Sequence, residues 1–248
     1  MANMTVSHQP KYSESIHKFM ARELNIRLYR LITGNKRIPD NKQYLTLANI
    51  QDKSPSSEIN QMVIADLLSP YQFVGIDNSK TYIKANKKNH PNALWHDGDW
   101  NVLLSTRQFD PALVYLDSTH FGDKLPALKT LKNTLDACVQ DTLVICNVME
   151  TNPRSGLGEF LDTTVLLEGL LYKEIPAKYK DWNKSKETKS WKEIENSDIV
   201  IPSYGYQTAK TLMKSYIFYK GFLPPEHKLD KLFADFEIWC DDFEETSL

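Results

Sequence analysis

The sequence is poor in cysteine. Cys138, Cys146 and Cys240 are its only three, and none lies in a CxxC spacing or near paired histidines. That speaks against a zinc site and fits free thiols packed in or near a core in a reducing interior. Long apolar runs are also missing, and no stretch approaches the roughly 18–20 residues needed to cross a bilayer. The segment from Met1 to Lys11 is polar and has no signal-peptide core, so the expected compartment is the cytoplasm. Neither GxGxxG nor GxxxxGK[ST] occurs, which weakens a reading as another nucleotide-using α/β enzyme. No linker divides the 248 residues, and no internal repeat is visible.

Hydrophobic residues make up 41% and charged residues 25%, an ordinary globular balance. The net charge of −2 conceals an asymmetry. Residues 1–42 carry eight Lys/Arg against three acids, residues 172–192 seven Lys against three, and residues 225–248 two Lys against eight. A basic face is therefore compatible with a chain that is not basic overall.

Apolar residues Ile16, Phe19, Met20, Leu24, Leu28 and Leu31 recur at helical spacing, which predicts a helix over about Ser13 to Ile32 that docks on a sheet. Gly34 is its expected C-terminal cap. Beyond Asp40 short β-type runs alternate with helical segments. Strands are expected at 44–48, 73–77, 93–95, 112–117 and 142–146. Helices are expected from Ser54-Pro55 through Leu67, from Ser79 to Ala85, from Leu125 to Ala137 and from Gly158 to Leu171. Such alternation implies right-handed βαβ crossovers and a parallel sheet. Two aromatic runs, 203–206 and 213–219, are joined too closely for a parallel crossover and predict an antiparallel hairpin. An amphipathic helix is expected over Leu229 to Phe243.

Ligands of open parallel sheets bind beyond the carboxyl ends of the strands, where the strand order reverses. Three expected strand ends carry acids: Asp77, Asp97 with Asp99, and Asp117. Each alone reads as readily as a cap or turn residue, but together they converge on one cleft. An acid after the second strand can accept both ribose hydroxyls, which suits Asp77 with Asn78 beside it. An acid after the third can accept from an adenine amino group, Asp99 before Asp97, with Gly98 in the turn and Trp100 against the ring. Asp117 suits a ligand ammonium or the substrate itself.

In order and spacing, Gly75-Ile76-Asp77, His96-Asp97-Gly98-Asp99, Val114-Tyr115-Leu116-Asp117 and the closing hairpin resemble the motifs of class I S-adenosylmethionine-dependent methyltransferases, over roughly residues 40–222. The Tyr44-Leu45-Thr46-Leu47 start is similar to short phage-type members, a divergent viral branch. The resemblance implies a doubly wound, mostly parallel, seven-stranded Rossmann-like sheet with a C-terminal antiparallel hairpin, and S-adenosylmethionine as cofactor. It implies a helical extension over 1–40, the α/β domain over 41–222 with a lysine-rich insertion at 172–198, and an acidic helix or tail over 223–248. The cofactor-binding positions it implies are Leu47, Ala48, Asn49, Asp77, Asn78, Asp97, Gly98, Asp99, Trp100 and Asp117.

The main departure is the loop after the first strand. The family's turn there is glycine-rich, whereas Leu47 to Pro55 contains no glycine. The acceptor motifs are incomplete as well. No cysteine follows a proline, Asp117-Ser118-Thr119-His120-Phe121 lacks the two prolines of amino methylation, and no lysine closely follows the fifth strand. Cys146-Asn147 supplies only part of a metal-assisted site, and no metal is expected. Asp117 and His120 are the catalytic candidates, His120 as a base that titrates in the useful range or as a plain loop histidine. In the insertion, Lys178, Lys180, Lys184, Lys186, Lys189 and Lys192 interleave with Tyr179, Trp182 and Trp191. Lysines contact phosphates and aromatic rings stack on bases, although charge runs are also ordinary solvated surface. The leading expectation is a methyltransferase with a nucleic acid as preferred acceptor, and the alternative is a catalytically silent fold that binds or regulates.

Overall fold

The computed structural model describes residues 16–118, 124–138, 141–149, 191–193, 200–204, 207–208, 211–219 and, near the C-terminus, 227–229, 231–232, 234–236 and 238–239. The first helix, α1 (Ile16–Thr33), ends where expected: Gly34 takes φ +69° and Asn35 N–H donates back to the Arg30 carbonyl at 2.6 Å. The chain then runs β1 (Gln43–Leu47), α2 (Glu58–Ile64), β2 (Phe73–Asp77), α3 (Lys80–Asn89), β3 (Leu94–Asp97), α4 (Trp100–Thr106), β4 (Pro111–Ser118), α5 (Lys124–Ala137) and β5 (Leu143–Met149). Shorter strands follow: β6 (Trp191–Glu193), β7 (Val200–Tyr204) and β8 (Gln207–Thr208), then the longer β9 (Thr211–Tyr219).

The sheet order is β3-β2-β1-β4-β5-β9-β7-β6, with β8 paired to β9. The first five strands are parallel, as the alternation of elements predicts. β9 runs antiparallel to β5 over seven residue pairs, and β7 pairs with β9 at Ser203↔Tyr216 and Tyr204↔Ser215. Among the described residues the sheet has nine strands rather than seven.

Alternate residues face opposite sides of the strands, so each strand feeds two cores. Tyr44, Phe73, Trp95, Leu113, Tyr115, Leu143 and Ile145 pack with α1, α2 and the C-terminal Leu229 and Phe236. Leu45, Val74, Ile76, Val114, Leu116, Val144 and Cys146 pack with Trp100 and Leu103 of α4 and Leu131 and Leu135 of α5. The helix at residues 16–33 is thus built into the core, with Met20, Ile26 and Leu28 fully enclosed. The described residues between 227 and 239 are helical, and Arg27 of α1 lies 4.6 Å above the Trp239 ring and 5.6 Å above that of Phe236. No helix among the described residues is long and apolar enough to cross a membrane.

Two expectations change. The helix expected to open at Ser54-Pro55 starts at Glu58, with Ser57 at its N-cap. Ser54 is drawn into a turn in which Asp52 accepts its N–H at 3.0 Å, and its carbonyl accepts from Asn60 Nδ2 at 2.7 Å. The second change is α4, a short helix that opens at Trp100 directly after the Gly98-Asp99 turn, where no helix was expected. The segment from Gly158 to Leu171 and most of the lysine-rich insertion lie outside the described residues.

Candidate functional site

The strand order reverses at β1: the chain first adds β2 and β3 on one side, then β4 and β5 on the other. The register places several of the candidate residues in one row. Thr46 is level with Gly75 on one side and Tyr115 on the other, and two residues onward come Ala48, Asp77 and Asp117. Asp77 is paired with Asp97, and Asp117 with Asn147. The carboxyl ends thus read Asp97, Asp77, Ala48, Asp117, Asn147 across the sheet. At the usual strand spacing Asp77 and Asp117 stand about 10 Å apart, on either side of β1.

Asp77 is half-buried. Its Oδ1 accepts the Ser79 N–H at 2.6 Å, which fixes the turn into α3. Burial raises its pKa, the Ser79 bond lowers it, and the adjacent Asp97 raises it again. Asn78 is exposed beside it. Gly98 bridges the two strand ends, donating to the Asp77 carbonyl at 3.0 Å with φ +148°, a conformation side chains rarely adopt.

Asp99 and Trp100 both have roles in the fold. Asp99 is the N-cap of α4 and accepts the Val102 N–H at 3.1 Å. Trp100 is 4% exposed, its ring in the core and its Nε1 donating to Thr134 Oγ1 at 2.9 Å. The ring face expected to lie against an adenine is covered by protein. The signal that sequence reading missed is the Asp99 cap followed by apolar residues at 100, 103 and 104.

The loop after β1 is held by amide side chains. Asn86 of α3 accepts from Gln51 N–H at 2.7 Å and donates to the Asn49 carbonyl at 3.0 Å. Asn89 donates to the Gln51 carbonyl at 2.9 Å, and the His90 ring meets the Asp52 carbonyl at 2.6 Å. Gln51 is fully buried, and its Oε1 accepts the Glu58 N–H, capping α2 from a distance. Ala48 is enclosed, continues the ladder by donating to the Ile76 carbonyl, and packs near Gly75, while Leu47 and Asn49 are half-buried.

Below Asp117, α1 contributes two residues that no motif marks. Lys18 Nζ lies 2.6 Å from Asp117 Oδ2, with the two side chains 9% and 6% exposed. Asp117 Oδ1 is buried and has no hydrogen-bond partner among the described residues. One turn along, Arg22 donates to the Ser56 carbonyl at 2.9 Å and stands 4.0 Å from Glu58, which accepts from the Tyr44 hydroxyl at 2.7 Å. Burial holds the Tyr44 and Tyr115 phenols well above their ordinary range, the first reinforced by Glu58 and the second by Asp117. Burial likewise raises the Cys146 thiol far upward, with Asp117 adding to it. None of the three is an anionic nucleophile or base at neutral pH. His120 lies outside the described residues. No group of three or more metal-ligating side chains occurs among the described residues.

A cavity of about 750 Å³ lies elsewhere, lined by Lys42, Leu104, Arg107, Asp110 and Cys138 among others. It opens at the amino ends of β1 and β4, the end of the sheet opposite the acidic row.

No family model matches the chain, and no curated protein matches it in sequence. Its fold is similar to that of an O-methyltransferase from Bacillus cereus in complex with SAH, at 10% identity over 83% of this chain and 82% of that one, TM-score 0.48. It is similar to the N-methyltransferase NodS from Bradyrhizobium japonicum WM9, at 13% identity over 82% and 97%, TM-score 0.44. It is also similar to spermidine synthase from Thermotoga maritima, at 13% identity over 84% of this chain and 61% of that one, TM-score 0.45.

Proposed function

We propose that the chain is an S-adenosylmethionine-dependent methyltransferase. The observation that carries this reading is the row of polar strand ends at the reversal of strand order, with Asp77 and Asp117 on either side of β1. Asp77 suits the ribose of a nucleoside cofactor: Ser79 holds one oxygen, and the other is available to hydroxyl donors. The cofactor, when bound, supplies an electrophilic methyl group. The protein's part is to bind the nucleoside through Asp77, Asn78 and Asp97 and to place the acceptor near Asp117. A nucleic acid is the favoured acceptor, on the interleaved lysines and tryptophans of 178–192.

Calorimetric titration with S-adenosylmethionine and S-adenosylhomocysteine tests the reading. Asp77→Asn should weaken both about tenfold to a hundredfold, the loss of charge-assisted hydrogen bonds. No heat with either ligand at millimolar concentration would reject it.

One observation favours a second reading, a silent fold. In the loop after β1 the Gln51 N–H and the Asn49 and Gln51 carbonyls are already taken by Asn86 and Asn89, where a glycine-rich turn would offer backbone groups to a ligand. Binding of S-adenosylhomocysteine by a protein that transfers no methyl group to DNA or RNA would support that reading.

A further inference from the structure

We propose that Lys18 is a specificity-determining residue of this site: it neutralises Asp117, so that the remaining carboxylate oxygen accepts from an uncharged N–H or O–H of the acceptor and rejects a cation. The inference rests on the methyltransferase reading and adds to it the chemical class of the group held at Asp117.

The geometry divides the carboxylate into two halves. Oδ2 is taken by the Lys18 ammonium at 2.6 Å. Oδ1 is desolvated and has no partner among the described residues. A buried acceptor left unpaired is costly, so a donor that reaches Oδ1 is rewarded. The charge on that donor then decides. An ammonium on Oδ1 would stand within about 6 Å of the Lys18 ammonium in a poorly screened setting, where like charges repel strongly. Among the described residues the groups with a charge effect at this carboxylate do not offset this: Tyr115 and Cys146 are held neutral, and Arg22, one turn from Lys18 on α1, is a further cation whose own anionic neighbour is Glu58. An uncharged amine or hydroxyl adds a hydrogen bond without adding charge.

Lys18 acts through Asp117 and is reached only through the fold. It lies 99 residues away in sequence, on a helix whose stripe reads as plain docking surface.

The test compares a neutral nucleoside with a cation of nearly the same shape, adenosine against 1-methyladenosine, each titrated into the full chain saturated with S-adenosylhomocysteine. The wild type should prefer adenosine at least tenfold. Lys18→Met, which bares the carboxylate, should shift that ratio at least tenfold toward 1-methyladenosine, and Lys18→Arg should keep the wild-type ratio. Asp117→Asn removes the carboxylate charge while keeping the lysine and should push the ratio further toward adenosine, which keeps the proposal testable if Lys18→Met does not fold. A purely structural lysine would lower the melting temperature and leave the ratio unmoved. If S-adenosylhomocysteine fails to bind the wild type, the proposed function falls and this inference with it. If it binds, and adenosine does not bind or the ratio is indifferent to Lys18 and Asp117, the inference alone is overturned.

Discussion

Replacing Gly75 by alanine should destabilise the protein by about 3 kcal/mol, the upper end of the usual cost of overpacking. A Cβ built on Gly75 lies 2.3 and 2.5 Å from Cζ3 and Cε3 of Trp95 and 2.8 Å from the Ala48 Cβ. Neither neighbour can easily withdraw. Trp95 is pinned by its Nε1 bond to the His90 carbonyl at 2.9 Å and by the Phe73 ring at 5.4 Å. Ala48 is tied through its N–H to the Ile76 carbonyl at 2.9 Å. Strands β1, β2 and β3 are in register on both sides, so relief requires the strands to shift together. For a chain of this size such a loss should lower the melting temperature by about 6–12 °C. The assay is urea unfolding of Gly75→Ala, Trp95→Leu and the double variant. In the Trp95→Leu background, where the Ala48 contact remains, the alanine should cost at least about 1 kcal/mol less than in wild type, a coupling typical of side chains in contact. A Gly75→Ala protein within about 0.5 kcal/mol of wild type, or strict additivity in the double variant, would refute the steric account and leave the glycine of the Gly75-Ile76-Asp77 motif without a packing role.

Other outcomes follow from the site's charges. Burial raises the Asp77 pKa, so its ionised form is disfavoured in the folded protein and stability falls as pH rises through that raised value; Asp77→Asn should gain on wild type in melting temperature over the interval in which pH rises from about 4, the ordinary aspartate value, through the raised one. Over the same interval cofactor affinity should rise with pH in wild type and stay flat in Asp77→Asn, measured by calorimetry. His96 is held below the ordinary imidazole value near 6.5, by burial first and then by Arg107 and Lys87; its contribution is present above that value and lost as pH falls through the lowered one. Its NMR titration midpoint should therefore lie below 6.5 and move up in Arg107→Ala, which removes the guanidinium 2.9 Å from Nδ1. Tyr44→Phe should cost about 1.5–3 kcal/mol in urea unfolding, because the buried Glu58 carboxylate loses a donor.

The parallel sheet was legible because its strands are short, apolar and bounded. Phe73–Asp77 and Pro111–Ser118 stand close to where their runs of apolar residues put them. The row formed by Asp77 and Asp117 was legible for the same reason, since an acid that ends a parallel strand must lie at the carboxyl edge. What escaped were the features made by side chains far apart in sequence. The start of α2 depends on Gln51 reaching the Glu58 N–H, and no local signal distinguishes that cap from Ser54-Pro55. Trp100 was read as a ring for stacking because α4 is only seven residues long, too short for its periodicity to stand out. Lys18 and Arg22 belong to no motif and lie off the apolar stripe of α1, and only the packing of α1 over the sheet brings them to Asp117 and Glu58.

The loop after β1 stores its shape in another element. Its carbonyls at Asn49, Gln51 and Asp52 and its amide at Gln51 are matched one by one to Asn86, Asn89 and His90 on and beside α3. Loop and helix are therefore two halves of one part. A glycine-rich loop grafted in alone would strand the buried Asn86 amide without its backbone partners. A graft with Asn86 and Asn89 made apolar as well removes that conflict, so the transplantable unit runs from Leu47 through His90.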